Sequence, residues 1–293
     1  MGKVWEIDYY SRPILDERGK KVWEVLVCET PLDTNTPADS LFRYAQFCPS
    51  TQVNSAWLRT ALEAAIAQAN ATPQKIRFFR RQMNNMIVKA CEDAGIVAQP
   101  SRRTYALYEW LQERIQSVYP QDPNYQPGAV STVQAELPPP SPLPDALIAE
   151  KWAFVTLDAA TLREMSEWDI GFGEAFPLIG LTPTTKIPGM VLFSSRALPL
   201  AGWMSGIEPT FIKFDGDISH RQDACATARL LLEAGANDSW ILPNQLDKNT
   251  QVEAARFEAA KEKAQGVHFL AIQSDRLAES FAGFWLLREL RMS

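Results

Sequence analysis

The C-terminal end of the chain carries the apolar stretch that most restricts how this sequence can fold. Residues 281–289 read FAGFWLLRE and end within five residues of the last one. Chain ends are usually polar and loosely ordered, so an apolar stretch at this place must be buried or bound. Residues 267–273, VHFLAIQ, form a second apolar run shortly before it. We therefore predict that 281–289 is a strand paired with 267–273, rather than a tail that docks elsewhere.

The first 120 residues alternate between strand and helix signals. Residues 4–10 and 21–28 alternate large apolar with polar side chains on either side of a turn at 16–19, which predicts a β-hairpin, and residues 41–48 predict a third strand. Helical spacing follows at 55–69 after a capping Asn54, at 83–94 before Gly95, and at 104–118, with short strands at 75–80 and 96–99. The order βββαβαβα is that of a mixed α/β domain.

A proline-rich region then interrupts this pattern. Eight of the 20 prolines lie between Pro120 and Pro144, with few large apolar residues among them. This composition predicts a semi-rigid linker, the alternative being a proline-rich loop that docks on one domain. A chain of 293 residues is long enough for two domains. We predict an α+β (mixed α/β) protein with an N-terminal domain at 1–119, a linker at 120–145 and a C-terminal domain at 146–293, each domain a mixed sheet with packed helices.

The C-terminal domain is predicted to contain a sheet of its own. Strand-like runs occur at 152–157, 190–193, 210–214, 227–232 and 239–242, and the last two are joined by a turn at 235–238. Asp158 is placed to cap a helix that carries Leu162, Met165 and Trp168. An amphipathic helix is predicted at 249–265, where Gly266 ends it.

Composition excludes several classes of protein and of chemistry. The chain is 46% hydrophobic and 22% charged, and no apolar run approaches the roughly 20 residues that span a bilayer, so we expect a soluble protein without a membrane segment. Four scattered cysteines and two histidines disfavour a zinc site, a disulfide scaffold and a histidine-dependent hydrolase. The glycines at 171–173 and 202–206 lack the spacing of nucleotide-binding loops. We predict no cofactor, no metal and no catalytic residue.

Positive charge is concentrated in one part of an otherwise acidic chain. Residues 1–135 contain 15 Lys and Arg against 14 Asp and Glu, a balance of +1, whereas residues 136–293 contain 14 against 21, a balance of −7. Within the first part, residues 75–103 carry seven basic and two acidic side chains, a local balance of +5. Arginines that neutralise phosphates, aromatic rings that stack on bases and amides near a helix start suit single-stranded nucleic acid. The candidate RNA-binding residues are Lys75, Arg77, Phe78, Phe79, Arg80, Arg81, Asn84, Lys89, Arg102 and Arg103.

A simpler explanation of this basic segment is also open. The arginines would then form a solvated face, and one of the two phenylalanines would belong to the core, because successive strand residues point to opposite sides.

Two groups of carboxylates could hold Mg²⁺, and the first of them raises the alternative of a Mg²⁺-dependent nuclease or a fold derived from one. Glu6, Asp8, Glu24 and Glu29 lie on the first hairpin and could hold a metal, although alternating strands also place such residues in solvent. Residues 215–223, DGDISHRQD, combine acidic residues with a histidine, but the sequence Asp-Gly-Asp is most typical of a turn. We expect solvent-facing carboxylates in the first group and a turn in the second.

Both ends of the chain resemble one protein family. Residues 5–16, WEIDYYSRPILD, and residues 281–289, FAGFWLLRE, are similar to motifs of the RNA-binding translation activators of photosystem reaction-centre mRNAs, the TAB/ATAB type found in chloroplasts and cyanobacteria. Residues 230–235, 240–242 and 268–273 also resemble family blocks, so the similarity spans nearly the whole chain.

The resemblance implies a binding protein without catalytic activity. It implies single-stranded, A/U-rich RNA as the partner, in the leaders of photosystem I and II messages, and a role in photosystem biogenesis. Because patterned sequence begins at residue 4, we expect no transit peptide and a cytoplasmic, cyanobacterial-type protein, or a stromal one if the protein belongs to a plastid. Translation or photosystem assembly proteins and a second copy are further expected partners, and a scaffold that binds such proteins without RNA is another alternative.

Overall fold

A computed structural model describes residues 2–127, 138–216, 228–242 and 246–290. The chain divides into two compact units, the first made of Met1–Pro31 with Pro37–Ala135 and the second of Leu32–Thr36 with Glu136–Ser293. Helices and strands mix in both units, so the mixed α/β class predicted from the sequence is confirmed. Within the described ranges, no helix is long and apolar enough to cross a membrane.

The first unit is built on one mixed sheet with the strand order β3-β2-β1-β4-β5. Antiparallel pairing joins β1 to β2 and β2 to β3, and parallel pairing joins β1 to β4 and β4 to β5. The predicted order βββαβαβα is confirmed. The elements are β1 (Val4–Leu15), β2 (Lys21–Glu29), β3 (Arg43–Cys48), α1 (Ser55–Ala69), β4 (Lys75–Phe78), α2 (Asn84–Asp93), β5 (Val97–Pro100) and α3 (Tyr105–Ser117).

The two faces of this sheet bury different chemistry. One face packs apolar side chains such as Ile7, Val25 and Ile76 against α1 and α2 in a continuous hydrophobic core. The opposite face lies under α3, where a smaller apolar cluster includes Leu26 and Leu107. Glu6, Asp8, Glu24, Arg12 and Arg77 are also buried in this unit. Buried charges are stable only when they are paired, so the packing of the first unit depends on ion pairs.

The second unit contains two sheets, with strand orders β10-β11-β12-β6 and β7-β9-β13-β14-β8 among the described strands. One sheet was predicted, and the structure has two, which share a hydrophobic core with the helices α5 and α6. The elements are β6 (Ser141–Pro142), β7 (Lys151–Asp158), α4 (Ala159–Arg163), β8 (Ile170–Glu174), β9 (Lys186–Phe193), α5 (Ala197–Ile207), β10 (Pro209–Asp215), β11 (Arg229–Ala234), β12 (Asp238–Ile241), α6 (Lys248–Lys263), β13 (Val267–Gln273) and β14 (Phe281–Arg288).

The apolar stretch at the C-terminal end forms β14. It pairs antiparallel with β13, as predicted, and parallel with β8 on its other side. Phe284, Trp285, Leu286 and Leu287 are each at most 2% exposed. Burial of one such side chain contributes about 2 kcal/mol, so this strand is an internal part of the second unit and not a docking tail.

The proline-rich region is docked at both of its described ends, so the linker predicted at 120–145 is not confirmed. Tyr125 forms an isolated bridge to Ile14 in the first unit. In the second unit, Ser141 and Pro142 form β6, which extends a sheet beside β12, and Leu143 is buried in the core. Residues 128–137 lie outside the described part of the chain.

A short segment that precedes β3 belongs to the second unit. In residues 32–36, the carbonyl oxygen of Thr34 accepts a hydrogen bond from the Leu178 amide at 3.1 Å. The Thr34 hydroxyl donates to the carbonyl oxygen of Arg163 at 3.2 Å. Asp33 holds the segment in a tight turn by accepting from the backbone amides of Asn35 and Thr36 at 2.8 and 2.7 Å.

A histidine and a lysine are buried at the centre of the second unit. His268 is 0% and Lys261 is 2% exposed. The Ile212 amide donates to His268 Nε2 at 2.8 Å, and Lys261 Nζ donates to the Ile212 carbonyl oxygen at 2.8 Å. Since Nε2 accepts, the imidazole carries its proton on Nδ1, which donates to the Gly266 carbonyl oxygen at 2.9 Å. Lys261 also pairs with Glu289 at 2.6 Å, so these contacts tie α6, β10 and β13 to the C-terminal end.

Candidate nucleic-acid interface

Part of the basic segment converges at the carboxyl ends of β4 and β5. These strands are parallel, Phe78 pairs with Pro100, and the Ser101 amide donates to the Phe78 carbonyl oxygen at 2.8 Å. The residues that follow each strand therefore begin side by side, and α2 starts nearby at Asn84. The carboxyl edge of parallel strands is the usual place for ligands in open sheets.

Five candidate residues lie at this carboxyl edge and reach solvent. Arg81 is exposed, and the other four are partly exposed. We use the name basic edge for this set, which consists of Phe79, Arg80, Arg81, Asn84 and Arg102.

Two of the predicted lysines lie away from the basic edge. Lys75 is the first residue of β4, and its position at the amino end puts it about 17 Å along the chain from Arg80. Lys89 is exposed on α2 and forms a salt bridge with Asp93, with 2.7 Å between Nζ and Oδ1.

Three further candidates are buried. Arg77, Phe78 and Arg103 are 1%, 2% and 2% exposed. Phe78 packs in the core beneath α1 and α2, whereas Phe79 packs near the α3 cluster. The alternative in which one of the two phenylalanines is a core residue is therefore confirmed, and the strand alternation is the reason.

Arg80 is held rigidly at the basic edge. Its Nε donates to Asp8 Oδ1 at 2.5 Å, and its Nη2 donates to Asp8 Oδ2 at 3.3 Å. The guanidinium carbon lies 4.0 Å from the ring centroid of Tyr10 and 4.9 Å from that of Phe79. The Arg80 side chain is 21% exposed, so it presents a planar, ion-paired group to solvent.

The carboxylates of the first hairpin are buried, which corrects the expectation that they face solvent. Glu6, Asp8 and Glu24 are 1%, 1% and 0% exposed. Alternation along a strand shows only that polar residues share a face, and here α3 covers that face instead of water. The fourth carboxylate, Glu29, is at the rim and forms a salt bridge with Lys3 at 2.7 Å.

Arginines from three distant parts of the sequence neutralise Asp8 and Glu24. Arg12 donates through Nη1 to Asp8 Oδ2 and through Nε to Glu24 Oε2, both at 2.9 Å. Glu24 Oε1 accepts from Arg114 Nη2, and Oε2 also accepts from the Tyr119 hydroxyl at 2.6 Å. Every oxygen of these two carboxylates therefore accepts at least one charge-assisted or hydroxyl hydrogen bond.

Titration behaviour follows from this arrangement. Burial alone raises the pKa of Asp8, but the Arg80 and Arg12 guanidiniums outweigh it and hold that pKa below its ordinary value. Burial also raises the pKa of the Tyr119 phenol, and the negative charge of Glu24 adds to this rise. Asp8 is therefore ionised and Tyr119 is protonated near neutral pH.

Glu6 has a structural function at the start of α3. Its Oε2 accepts a hydrogen bond from the Leu107 amide at 2.7 Å, whereas the N-cap residue, Thr104, makes no side-chain cap. A carboxylate at a helix N-terminus satisfies an unbonded amide and interacts favourably with the helix dipole. A residue of β1 thus replaces the local cap of a helix 101 positions away in sequence.

The carboxylates of Glu6, Asp8 and Glu24 already accept hydrogen bonds from protein groups. A divalent cation at Asp8 or Glu24 would have to displace a guanidinium. Across the described ranges, no group of three or more His, Cys, Asp or Glu side chains is arranged to hold a metal ion. The second acidic group is only partly described: Asp215 pairs with Arg229 at 3.2 Å, and residues 217–227, including His220, lie outside the described residues.

Sequence reasoning did not single out Tyr10, Arg12, Arg114 or Tyr119. Arg12 and Tyr10 lie within the N-terminal motif WEIDYYSRPILD, and a basic residue inside a strand rich in apolar side chains is a usable signal of a buried ion pair. Arg114 and Tyr119 gave no such signal, because they are 90 and 95 positions from Glu24 in sequence.

Comparison with known proteins identifies the family on both halves of the chain. A family model described as "RNA-binding protein Tab2/Atab2 N terminal" matches residues 4–114, and one described as "RNA-binding protein Tab2/Atab2, C-terminal domain" matches residues 130–288. The "Protein TAB2 homolog, chloroplastic" of Zea mays is 39% identical over 298 residues, which cover 98% of this chain and 72% of the relative. The protein of the same name from Arabidopsis thaliana is 38% identical over 299 residues, which cover 98% of this chain and 75% of the relative. The chain therefore belongs to the Tab2/Atab2 family of RNA-binding proteins.

Proposed function

We propose that this protein binds single-stranded, A/U-rich RNA at the basic edge and thereby promotes translation of photosystem reaction-centre messages. The observation that carries the proposal is the position of the exposed Arg81 and the partly exposed Arg102 beside Phe79, in a chain whose family binds RNA. Arginines at such an edge neutralise phosphates, and a neighbouring ring stacks on bases.

The proposal assigns binding and not catalysis to the first unit. The hairpin carboxylates that a Mg²⁺-dependent nuclease would need accept hydrogen bonds from Arg12, Arg80 and Arg114. In this proposal the acidic second unit contacts translation or photosystem assembly proteins or a second copy of the chain. The site of action is the cytoplasm of a cyanobacterial-type cell, or the stroma if the protein belongs to a plastid.

The test of the interface should change Arg81 and Arg102 rather than Arg80. A glutamate at position 80 would stand beside the buried carboxylate of Asp8, and the like charges would damage the fold. Arg81→Glu and Arg102→Glu leave that ion pair intact. A matched control is Arg256→Glu, the same charge change at an exposed position of α6 in the second unit.

Binding is measured by fluorescence anisotropy of a labelled A/U-rich RNA between 50 and 200 mM KCl. We expect affinity of the parent protein to fall steeply with salt. Arg81→Glu and Arg102→Glu should weaken binding and lower the slope of log K against log salt by about 1 for each phosphate that the variant no longer neutralises. The control should match the parent. Unchanged affinity in the folded Arg81 and Arg102 variants would exclude the basic edge.

Incubation of labelled RNA with Mg²⁺, with and without a chelator, tests the absence of catalysis. A binder shifts the RNA in a gel and leaves its length intact, whereas chelator-sensitive shortening would establish a nuclease. Capture of translation or assembly proteins without any RNA shift would instead establish a scaffold.

A further inference from the structure

A continuous series of aromatic rings leads from the basic edge across the first unit. Trp57 lies in the first turn of α1, Tyr9 and Tyr10 lie on β1, Trp23 lies on β2, and Phe79 follows β4. We call these five rings, with the guanidinium of Arg80 between Tyr10 and Phe79, the aromatic ladder.

Each member of the ladder contacts the next. Ring centroids are 5.7 Å apart for Trp57 and Tyr9, 5.6 Å for Tyr9 and Trp23, and 5.7 Å for Trp23 and Tyr10. Arg80 then bridges Tyr10 and Phe79 at 4.0 and 4.9 Å. These separations are those of energetically favourable aromatic pairs, so the rings hold one another in place.

One ring of the ladder is buried, and the other four reach solvent. Tyr9 is 0% exposed, and its hydroxyl donates to Cys48 Sγ at 3.2 Å. Trp57, Trp23, Tyr10 and Phe79 are each partly exposed. The buried ring thus fixes the orientation of neighbours that reach solvent, which is the preorganisation that a stacking surface requires.

Arg80 contributes to the ladder through its planar group and its ion pair. The Arg80 guanidinium is paired with Asp8, which also binds Arg12, and it lies between the rings of Tyr10 and Phe79. In this position the guanidinium contributes to the alignment of the two rings more than to the attraction of phosphates. The exposed Arg81 provides the phosphate contact next to it.

We propose that Tyr10, Trp23, Trp57 and Phe79 form a base-stacking surface that continues the RNA site from the basic edge toward the start of α1. This inference rests on the proposed function and extends it to a path for the strand. Stacking on each ring is tolerant of base identity, because every base has an aromatic face.

The experiment compares ring removal with ring retention. Tyr10→Leu and Trp57→Leu remove a ring and keep apolar volume, whereas Tyr10→Phe and Trp57→Phe keep a ring. Trp203→Leu is the control, a partly exposed tryptophan of the second unit in edge contact with Trp240. Kd for labelled oligo(U) and oligo(A) RNA is measured from 50 to 200 mM KCl, after thermal melting has shown that each variant is folded.

Removal of one base-stacking ring raises Kd about 5-fold or more at every salt concentration. Because stacking releases no counterions, the slope of log K against log salt should stay that of the parent in both leucine variants. The phenylalanine variants should bind within about threefold of the parent, since they keep a ring. The Trp203 control should not differ from the parent.

Photocrosslinking of 4-thiouridine RNA to the unchanged protein gives an answer that does not depend on variant folding. We expect crosslinked peptides from residues 4–15, 21–29 and 55–69 together with those of the basic edge. Two results would overturn the stacking surface and leave the proposed function intact. One is a set of crosslinks confined to the basic edge. The other is a parental Kd in the folded leucine variants together with weakened binding by the Arg81→Glu variant. A parent protein that binds no RNA would overturn both.

Discussion

His268 should make the second unit sensitive to acid well above the pH at which most carboxylates titrate. Burial lowers the pKa of its imidazole to about 3, and the charge of Lys261 acts in the same direction against the Gly266 carbonyl. An unfolded chain has an ordinary histidine pKa of about 6.5. The unfolded state therefore binds a proton that the folded state does not bind between these values, so stability is complete above pH 6.5 and falls as the pH is lowered toward 3.

The size of the effect follows from the distance between the pH and the unfolded pKa. Each pH unit below about 6.5 removes about 1.4 kcal/mol from the free energy of unfolding. The contribution of His268 is therefore a loss of about 1 kcal/mol at pH 5.5 and about 3 kcal/mol at pH 4.5. Solvent screening does not reduce these free energies, because the imidazole is 0% exposed.

The assay is native-state hydrogen exchange of the β13 peptide, since it reports the unfolding of the second unit by itself. His268→Gln is the comparison, because its amide oxygen can accept the Ile212 amide and has no charge to gain. We expect the variant to be less stable than the parent at pH 7.5 and the difference to shrink by about 3 kcal/mol at pH 4.5. All other acid-sensitive groups are common to both proteins. A parent whose acid dependence equals that of the variant would refute the reasoning.

Three further predictions concern stability. Asp8→Asn should lower the free energy of unfolding of the first unit by about 3 kcal/mol, because Arg80 loses this carboxylate partner and the buried Arg12 keeps only Glu24; urea unfolding at pH 7 measures this, and a decrease below about 1 kcal/mol would contradict it. Asn54→Ala should cost about 1 kcal/mol in the same assay because it removes the cap on the Trp57 amide, whereas the exposed Asn85→Ala should have little effect. Deletion from Phe281 onward removes β14 and should abolish the thermal transition of the second unit, and an unchanged melting temperature would restore the idea of a docking tail.

Local signals predicted the elements whose stabilisation is local. Asn54 accepts from the Trp57 amide at 2.8 Å, as its position before α1 predicted, and Gly95 and Gly266 follow their helices with positive φ of 71° and 81°. At Gly266 a Cβ would also lie 2.5 Å from the Glu289 carbonyl oxygen, so the stop signal has a packing reason as well. The β13–β14 pairing was predictable because two apolar runs lie close together in sequence.

The elements β8 and α5 of the second unit were missed because their residues usually break structure. β8 has the sequence IGFGE, and its two glycines are untypical of a strand. At Gly173 the glycine is needed, because a Cβ there would clash with the Phe284 carbonyl oxygen. α5 contains Pro199, Gly202 and Gly206, but Pro199 lies in the first turn, where its missing amide is tolerated. Tertiary packing decides the structure of both segments.

The sequence predicted which segment carries the basic residues of the candidate site, but not which of those residues reach solvent. The +5 balance located a basic region, but it could not show that Arg77 and Arg103 are buried while Arg81 is exposed. That difference depends on α3 and on ion pairs such as Arg80 with Asp8, which are 72 positions apart. Charge counts along a sequence carry no information on such distant pairs.

The placement of residues 32–36 has a consequence for how this gene can be rearranged. A recombination event that copied only the part matched by the C-terminal family model, residues 130–288, would leave behind the segment whose Thr34 accepts from the Leu178 amide and donates to the Arg163 carbonyl. The C-terminal half of the sequence therefore does not contain the whole second unit. Five residues of that unit, 32–36, are encoded between β2 and β3 of the first unit. Exchange of the C-terminal half alone would separate residues 32–36 from the residues that they contact.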